Sequence, residues 1–199
     1  MDVSLTERET CTASFKPSFE CAAAAVATFD MLSIDFSFTD SQLKVNSEIE
    51  QDLASGKPMH RLLQGEVGSG KTVVALRAVM LAVAKKQQSV LLAPTEVLAE
   101  QHFQSITKTL GPELSRELGV RLVTGSLSAA ERKKSLLDLA SGKCLLAIGT
   151  HALFAEKIQF AELSLVVIDE QHRFGVAQRL ALREKMLTHD GMPEQEPHM

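Results

Sequence analysis

The chain of 199 residues contains no tryptophan and no tyrosine. Sequence-tolerant binders of single strands stack bases on aromatic side chains, so a protein of that class is not indicated. Basic residues are not in excess, because 21 lysines and arginines stand against 25 aspartates and glutamates, for a formal net charge of −4. This balance argues against a strongly basic nucleic-acid module. It does not exclude DNA, because backbone amides, hydroxyls and helix N-termini also bind phosphates.

Cysteines and long apolar segments are also scarce. Cys11, Cys21 and Cys144 are odd in number and show no C-x-x-C spacing, so neither a disulfide framework nor a zinc site is supported. Residues 1–9 are acidic and lack the basic and apolar regions of a signal peptide. The longest apolar run, 72–84, contains Arg77 and is too short to span a bilayer. We therefore expect a cytoplasmic protein without a membrane partner.

The most informative segment that is present is 65–72, which reads Gly-Glu-Val-Gly-Ser-Gly-Lys-Thr and matches the pattern G-x-x-x-x-G-K-[ST]. Its glycines let the backbone turn successive N–H groups toward a polyphosphate, and the following helix adds the positive end of its dipole. Lys71 would reach the β- and γ-phosphates, and Thr72 would hold Mg²⁺. The alternative is a glycine-rich turn between a strand and a helix. The pattern predicts a nucleotide site at Gly65, Gly68, Gly70, Lys71 and Thr72.

Apolar runs alternate with amphipathic segments along most of the chain. A helix is predicted from Thr39, with Leu43, Val45 or Asn46, Ile49 and Leu53 on its apolar face, ending at 56–58. Near-continuous apolar strands that alternate with helices are typical of a parallel sheet covered on both faces, so we predict an α/β fold. The strands are expected at 89–93, 120–123, 144–148 and 165–168, and the helices at 97–110, 129–140 and 176–185.

We expect one main domain over residues 38–186. Residues 1–37 show no clear period and are predicted to be either a short helix or a disordered lead. Residues 187–199 contain two prolines and no period, so an exposed or disordered tail is predicted there.

The predicted strand 165–168 ends in two carboxylates, Asp169 and Glu170. Ligands of open α/β sheets bind beyond the carboxyl ends of strands, so Asp169 is expected to face the same crevice as the phosphate loop. There Asp169 would bind Mg²⁺ directly or through water, and Glu170 would orient and deprotonate an attacking water. The alternative is a strand end with two solvated acids.

Five segments together resemble the first motor domain of the RecG family of superfamily 2 ATP-dependent DNA helicases. They are 61–72, 93–102, 124–126, 149–153 and 167–176, in that order. The transcription-repair coupling factor family shares this architecture, but its motif resembles Asp-Glu-Glu-His, whereas Gln171 and the pair Gln178-Arg179 favour RecG. The resemblance implies a RecA-like P-loop fold, ATP hydrolysis with Mg²⁺, and the unwinding of branched or forked DNA in replication-fork remodelling, recombination and repair.

The resemblance also implies roles for individual residues. Gln42 becomes the candidate for adenine recognition, although one amide on a helix surface means little by itself. Lys71, Asp169 and Glu170 become catalytic candidates, and Gln171 and His172 would couple the nucleotide site to DNA. The loops expected to hold the DNA backbone are Pro94-Thr95, Gly125-Ser126 and Gly149-Thr150, each of which could also be an ordinary turn or helix cap.

The sequence departs from the RecG pattern in three respects. Glu66 stands where these proteins usually have aspartate. Residues before 38 are too few for the family's wedge domain, and the segments of a second motor lobe are not found. We therefore expect a RecG-like first motor lobe with weak DNA binding. Three alternatives stay open: a nucleotide-binding remnant without catalysis, the motor lobe of a translocase like the transcription-repair coupling factor, and a small P-loop kinase. The kinase is disfavoured because no arginine-rich lid segment follows Asp169. The oligomeric state is left open.

Overall fold

The structure, a computed structural model, describes the backbone of residues 3–7 and, in full, residues 38–55, 57–151, 153 and 158–174. These residues fall into two compact units that divide between Lys85 and Lys86. The predicted helix 176–185, the predicted tail 187–199 and most of the segment 1–37 lie outside the described residues. The domain boundaries at 38 and 186 stay a prediction.

The first unit contains two strands and two helices among its described residues. Strands β1 (Val3–Glu7) and β2 (Arg61–Gly65) form an antiparallel pair in which Leu5 lies opposite Leu63. The helices are α1 (Asp40–Ala54) and α2 (Lys71–Val83), which pack against each other. For the segment that holds β1, the sequence indicated a helix or disorder, so this strand was not predicted.

Helix α1 begins at a reciprocal capping box. The Thr39 hydroxyl accepts the Gln42 N–H, and the Gln42 Oε1 accepts the Thr39 N–H at 2.9 Å. Such a pair satisfies amides that have no partner within the helix. The buried row consists of Gln42, Val45, Asn46, Ile49 and Leu53, a helical spacing. The predicted apolar face is therefore wrong at Leu43, which is 53% exposed because Gln42 takes the buried position.

Ion pairs connect α1 with the strand and helix that flank the phosphate loop. Arg61, at the start of β2, contacts Glu48 and Asp52 on α1. Arg77 on α2 contacts Glu50 at 3.2 Å. All three acidic residues lie on α1, so charge pairs as well as apolar contacts position this helix in the first unit.

The second unit contains a four-stranded parallel sheet in the order β4-β5-β3-β6. Every residue of β3 and β5 is buried, which is typical of parallel strands covered on both faces. The predicted parallel sheet and α/β class are confirmed. The strand bounds are Gln88–Leu92 for β3, Arg121–Val123 for β4, Leu146–Gly149 for β5 and Leu163–Ile168 for β6.

Two helices of this unit cross between strands. Helix α4 (Ala129–Ala140) begins at a capping box between Ser128 and Glu131, and its bounds are those predicted from sequence. Helix α3 (Glu96–Glu117) continues beyond the predicted end at Leu110. Gly111, with φ of 75°, breaks it, and Pro112 opens the next helical piece. Proline suits the first position of a helix because its missing N–H would have had no partner there.

The one cysteine among the described residues, Cys144, is buried. Burial disfavours the thiolate and raises the pKa of Cys144 to about 12. The thiol is therefore protonated at neutral pH and acts as a small apolar group beside β5. None of the helices in the described part of the chain is long and apolar enough to cross a membrane.

Gln88 is a buried polar residue on the central strand β3, and its side-chain amide is fully used. Its Nε2 donates to the carbonyls of Leu139 and Cys144 at 2.9 and 2.7 Å. Its Oε1 accepts the Glu162 N–H at 2.9 Å. One amide thus ties β3 to the end of α4 and to the segments that lead into β5 and β6.

We predict that Gln88→Leu lowers the free energy of unfolding by about 2–4 kcal/mol, because the partners of the lost amide stay buried without hydrogen bonds. The measurement is chemical denaturation followed by circular dichroism. The matched control is Gln104→Leu, at an exposed position on α3, for which a change below about 0.5 kcal/mol is expected. Equal effects of the two substitutions would contradict the structural role of Gln88.

Candidate functional site

The predicted phosphate loop joins the end of β2 to the start of α2. Gly68 and Gly70 have φ of 82° and 80°, values that glycine adopts without the steric cost of a side chain. Gly70 is the N-cap of α2, and Lys71 and Thr72 form its first turn. The first N–H groups of a helix have no partner within the helix, so this end of α2 suits an anion. The backbone geometry therefore fits the polyphosphate that the motif predicted.

Lys71 folds across this loop. Its Nζ donates to the carbonyl oxygens of Gly65 at 2.7 Å and Glu66 at 2.8 Å. The ammonium is thus held by the first two residues of the loop. A compact positive charge at this place is the donor that a β- or γ-phosphate needs.

Gln42 braces the phosphate loop from α1. Its Nε2 donates to the Ser69 carbonyl at 2.8 Å in a buried contact. A Cβ on Gly70 would lie 2.5 Å from the same Nε2, so only glycine lets the amide approach this closely. The structure therefore places Gln42 beside the phosphate loop, with both ends of its amide in use. Its contact with adenine stays a prediction.

Four polar loops lie at one edge of the parallel sheet. Pro94-Thr95 follows β3, Gly125-Ser126 follows β4, Thr150 follows β5, and Asp169 follows β6. Because the strands are parallel, their carboxyl ends share one edge. The structure therefore brings together in the second unit the DNA candidates and the Asp-Glu pair.

The exposed DNA candidates already make contacts within the protein. Thr95 caps α3 by accepting the Leu98 N–H at 3.3 Å. The Gly125 N–H donates to Glu96 Oε1 at 2.8 Å, and Ser126 Oγ lies 3.0 Å from Thr124 Oγ1. A hydroxyl has one proton and two lone pairs, so the Thr95 hydroxyl that caps α3 can still donate its proton to another acceptor.

Gly149 and Thr150 differ from the other DNA candidates because both are buried. A Cβ on Gly149 would collide with the Val123 carbonyl and with Leu153, so glycine is needed for the close approach of β5 and β4. This packing is a sufficient reason for a glycine at position 149, whether or not the loop contacts DNA. The role of both residues in DNA binding stays a prediction, with less support than that of Thr95 and Ser126.

Asp169 is the first residue beyond β6, and its N–H continues the ladder by donating to the Leu92 carbonyl at 2.8 Å. Its Oδ2 lies 2.7 Å from Nε2 of His102. The carboxylate is about one-third exposed. One oxygen is thus held by a neighbouring helix at a strand end that faces the sheet edge. The expected meeting of Asp169 with the phosphate loop stays a prediction.

Glu170 has a left-handed backbone, with φ of 53° and ψ of 46°. This conformation is unusual for a residue with a side chain and is concentrated at functional sites. It turns the chain sharply from β6 into the short 3₁₀ turn Gln171–Arg173. The carboxylate lies 3.2 Å from His172 Nε2 and 3.7 Å from Arg173 Nε. Gln171 and His172, the coupling candidates, are exposed beside it.

Sequence reasoning assigned no role to His102. The sequence signal that could have found it is a helical spacing that His102 shares with three buried residues, Ala99, Ile106 and Leu110. A histidine in the apolar row of a helix must face the sheet. Helix α3 follows β3, and β3 neighbours β6. The polar residues at the end of β6 were therefore the natural candidates for a partner of His102.

A cavity of about 280 Å³ opens between the start of α3 and the loop after β4. Of the DNA candidates, its lining includes Ser126. Acidic and hydroxyl side chains line it together with three apolar ones: Glu96, Glu100, Thr124, Ser126, Val97, Leu122 and Leu127.

Comparison with known proteins identifies the domain. The family model described as DEAD/DEAH box helicase matches residues 39–197. The chain belongs to this helicase family. The helicase domain implies the use of ATP, in agreement with the phosphate loop.

Among curated relatives of this helicase domain is the ATP-dependent DNA helicase RecG of Streptococcus pneumoniae serotype 4, 51% identical over 154 residues. The match covers 77% of this chain and 22% of that protein. RecG of Mycobacterium leprae is 48% identical over 166 residues, covering 79% of this chain and 22% of that protein. The chain thus spans about a fifth of the length of these relatives. The predicted resemblance to RecG is confirmed.

Solved structures of helicases show the same fold. A structure of RecG bound to a three-way DNA junction has a TM-score of 0.72 at 36% identity, covering 82% of this chain and 22% of that chain. The DUF1998 helicase MrfA matches with a TM-score of 0.57 at 20% identity, covering 85% of this chain and 27% of that chain. The second match shows the fold alone. The predicted RecA-like α/β fold is confirmed.

The two left-handed glycines of the phosphate loop provide a matched pair of substitutions. Both would strain an alanine in φ, but a Cβ on Gly68 meets open space whereas one on Gly70 meets Gln42. We predict that Gly70→Ala weakens the binding of a fluorescent ATP analogue at least about tenfold more than Gly68→Ala, because only Gly70→Ala displaces the brace. Fluorescence titration measures this difference, and equal losses would contradict the bracing role of Gln42.

Proposed function

We propose that the helicase domain of this chain is the ATP- and Mg²⁺-binding first motor lobe of a RecG-like ATP-dependent DNA helicase. The observation that carries the proposal is the phosphate loop, in which Lys71 Nζ is held by two loop carbonyls at 2.7 and 2.8 Å above the N-terminus of α2. The similarity to RecG supports the choice among helicases.

The chain's own groups fit a nucleoside triphosphate. Amides of the loop between Gly65 and Gly70 would hold its phosphates, and Lys71 would move from its carbonyl partners onto the β- and γ-phosphate oxygens. Thr72 and Asp169 would hold Mg²⁺, which supplies positive charge against the phosphates. His102 would keep one oxygen of Asp169 in a fixed direction, as second partners of metal ligands commonly do.

Glu170 is the proposed general base. Its carboxylate would accept a proton from the water that attacks the γ-phosphorus. The left-handed turn at Glu170 sets the direction of this side chain relative to β6, and His172 already contacts it. We propose that Gln171 and His172 report the state of this carboxylate to the DNA-binding edge.

Branched or forked DNA is the proposed partner. The RecG neighbour was solved with a three-way DNA junction, and exposed polar groups at Thr95, Gly125 and Ser126 form a surface of hydroxyls and amides here. Such groups neutralise few phosphates, so binding by this lobe should be weak, with a shallow dependence on salt. The proposed role is fork remodelling in recombination and repair, in the cytoplasm, where DNA and ATP are found.

We predict that Lys71→Ala reduces ATP binding to an undetectable level and leaves the thermal unfolding midpoint within about 2 °C of the parent, because Lys71 is a half-exposed point charge and not a core residue. Isothermal titration calorimetry with ATP and Mg²⁺ measures the affinity. Lys57→Ala, which removes an exposed lysine from the same unit, is the control and should bind like the parent. Equal affinity of Lys71→Ala and the parent would refute the nucleotide site.

We predict that Glu170→Gln keeps the ATP affinity within about threefold but reduces hydrolysis by at least about 100-fold, since only the proton acceptor is lost. Hydrolysis is measured with forked DNA, for the 199-residue chain and for a fusion with a RecG second lobe. That lobe supplies an arginine finger worth roughly 10³- to 10⁵-fold in rate.

The control for the hydrolysis experiment is Glu113→Gln, an exposed acid on α3. A fusion that binds ATP but never hydrolyses it would favour the nucleotide-binding remnant over the helicase lobe. DNA-stimulated hydrolysis that survives Glu170→Gln would assign the base elsewhere.

A further inference from the structure

Glu96 places a negative charge at the edge of the sheet where DNA phosphates are expected. It is the first residue of α3, next to Thr95, and its Oε1 accepts the Gly125 N–H at 2.8 Å. That N–H is one of the donors assigned above to the DNA backbone. In the free protein, therefore, a carboxylate of the chain itself occupies the place that a phosphate oxygen would take.

The contact is favoured from both sides. A carboxylate in the first turn of a helix is stabilised by the unpaired N–H groups and the dipole, so Glu96 sits at an anion-binding position of α3. On the other side, Gly125 has no side chain, and a Cβ there would lie 2.8 Å from Glu96 Oε1. The same two features that attract a phosphate, the helix N-terminus and a loop amide, thus hold the carboxylate.

We propose that Glu96 competes with the DNA backbone for the Gly125 N–H. The Glu96 carboxylate must release this N–H before a phosphate can bind there. This inference rests on the proposed function, since it concerns the same DNA surface. A phosphate beside an ionised Glu96 is repelled at short range, and one that displaces it must replace a charge-assisted hydrogen bond. Glu96 therefore lowers the affinity for DNA and makes this contact conditional on movement of one side chain.

The alternative role of Glu96 is only to fix the loop after β4. Glu96→Gln distinguishes competition with DNA from a purely structural role. The amide oxygen of glutamine can still accept the Gly125 N–H, but the negative charge is gone. The matched control is Glu100→Gln, which removes a charge one helical turn further along the same cavity, where the described contacts include no bond to Gly125.

The experiment measures the affinity of the parent, Glu96→Gln and Glu100→Gln for a fluorescein-labelled forked DNA oligonucleotide by fluorescence anisotropy at several salt concentrations. We expect Glu96→Gln to bind the DNA roughly three- to tenfold more tightly than the parent. This difference in affinity should decrease as the salt concentration rises. Glu100→Gln should gain less than about twofold. Glu96→Gln binding no more tightly than the parent, or an equal gain for Glu100→Gln, would overturn the inference.

A second measurement needs no variant. In ¹H–¹⁵N spectra of the labelled parent, the Gly125 N–H should shift when the oligonucleotide is added, since it exchanges a carboxylate for a phosphate. A Gly125 signal that stays in place while anisotropy shows binding would overturn the inference alone. Absence of DNA binding by the parent and by Glu96→Gln would overturn it together with the DNA part of the proposed function.

Discussion

Parallel hydrogen bonding of β3 to β5 on one side and to β6 on the other is the interaction on which the second unit depends. The register pairs Leu92 with Gly149 and with Ile168, so three strands end at the same level. The polar residues that follow them meet at one edge because the ladders are parallel. The chemistry of that edge is thus a consequence of strand direction, and the buried amide of Gln88 helps to hold the central strand in place.

The first unit depends on a different constraint, the left-handed backbone of the phosphate loop. Two glycines supply it, and a buried glutamine fills the space that the absent side chain of Gly70 leaves. Gln42 has two tasks that share one amide, since it caps α1 and supports the Ser69 carbonyl. A shift of the loop would therefore disturb the hydrogen bond at the start of α1, so the proposed nucleotide site and that helix share one side chain.

Local signals predicted much of this structure. The bounds of α4 followed from an amphipathic run between two apolar ones, and the four parallel strands followed from short apolar runs. Where an element depends on a distant partner, the sequence was less informative. The strand at Val3–Glu7 pairs with residues about 60 positions away, as the register shows. Its only local signal is the alternation of Val3 and Leu5 with polar residues, which spans five residues and was overlooked.

The errors have identifiable causes. Gly111-Pro112 resembles a helix end, yet the proline opens a further helical piece. Leu43 was expected inside because it is apolar, but the capping box needs Gln42 at the neighbouring buried position. The phosphate loop and the Asp-Glu pair could be predicted because their spacing is local. For His102 there was a local signal, its place in the buried row of α3, but it was not used. The contact of Glu96 with Gly125 had no such signal, since it joins a helix to a loop that is remote in sequence.

The position of the Lys71 ammonium has a thermodynamic consequence. Since two carbonyls already hold it, the proposed binding of a nucleotide would be an exchange of partners for a cation whose side chain is ordered beforehand, so little rotamer entropy would be lost. Gly65 and Glu66 are exposed, and water can hydrate their carbonyls once the ammonium leaves. The enthalpy of the proposed binding should therefore be a small difference between two sets of strong hydrogen bonds, and release of a nucleotide would return the lysine to its two carbonyl partners.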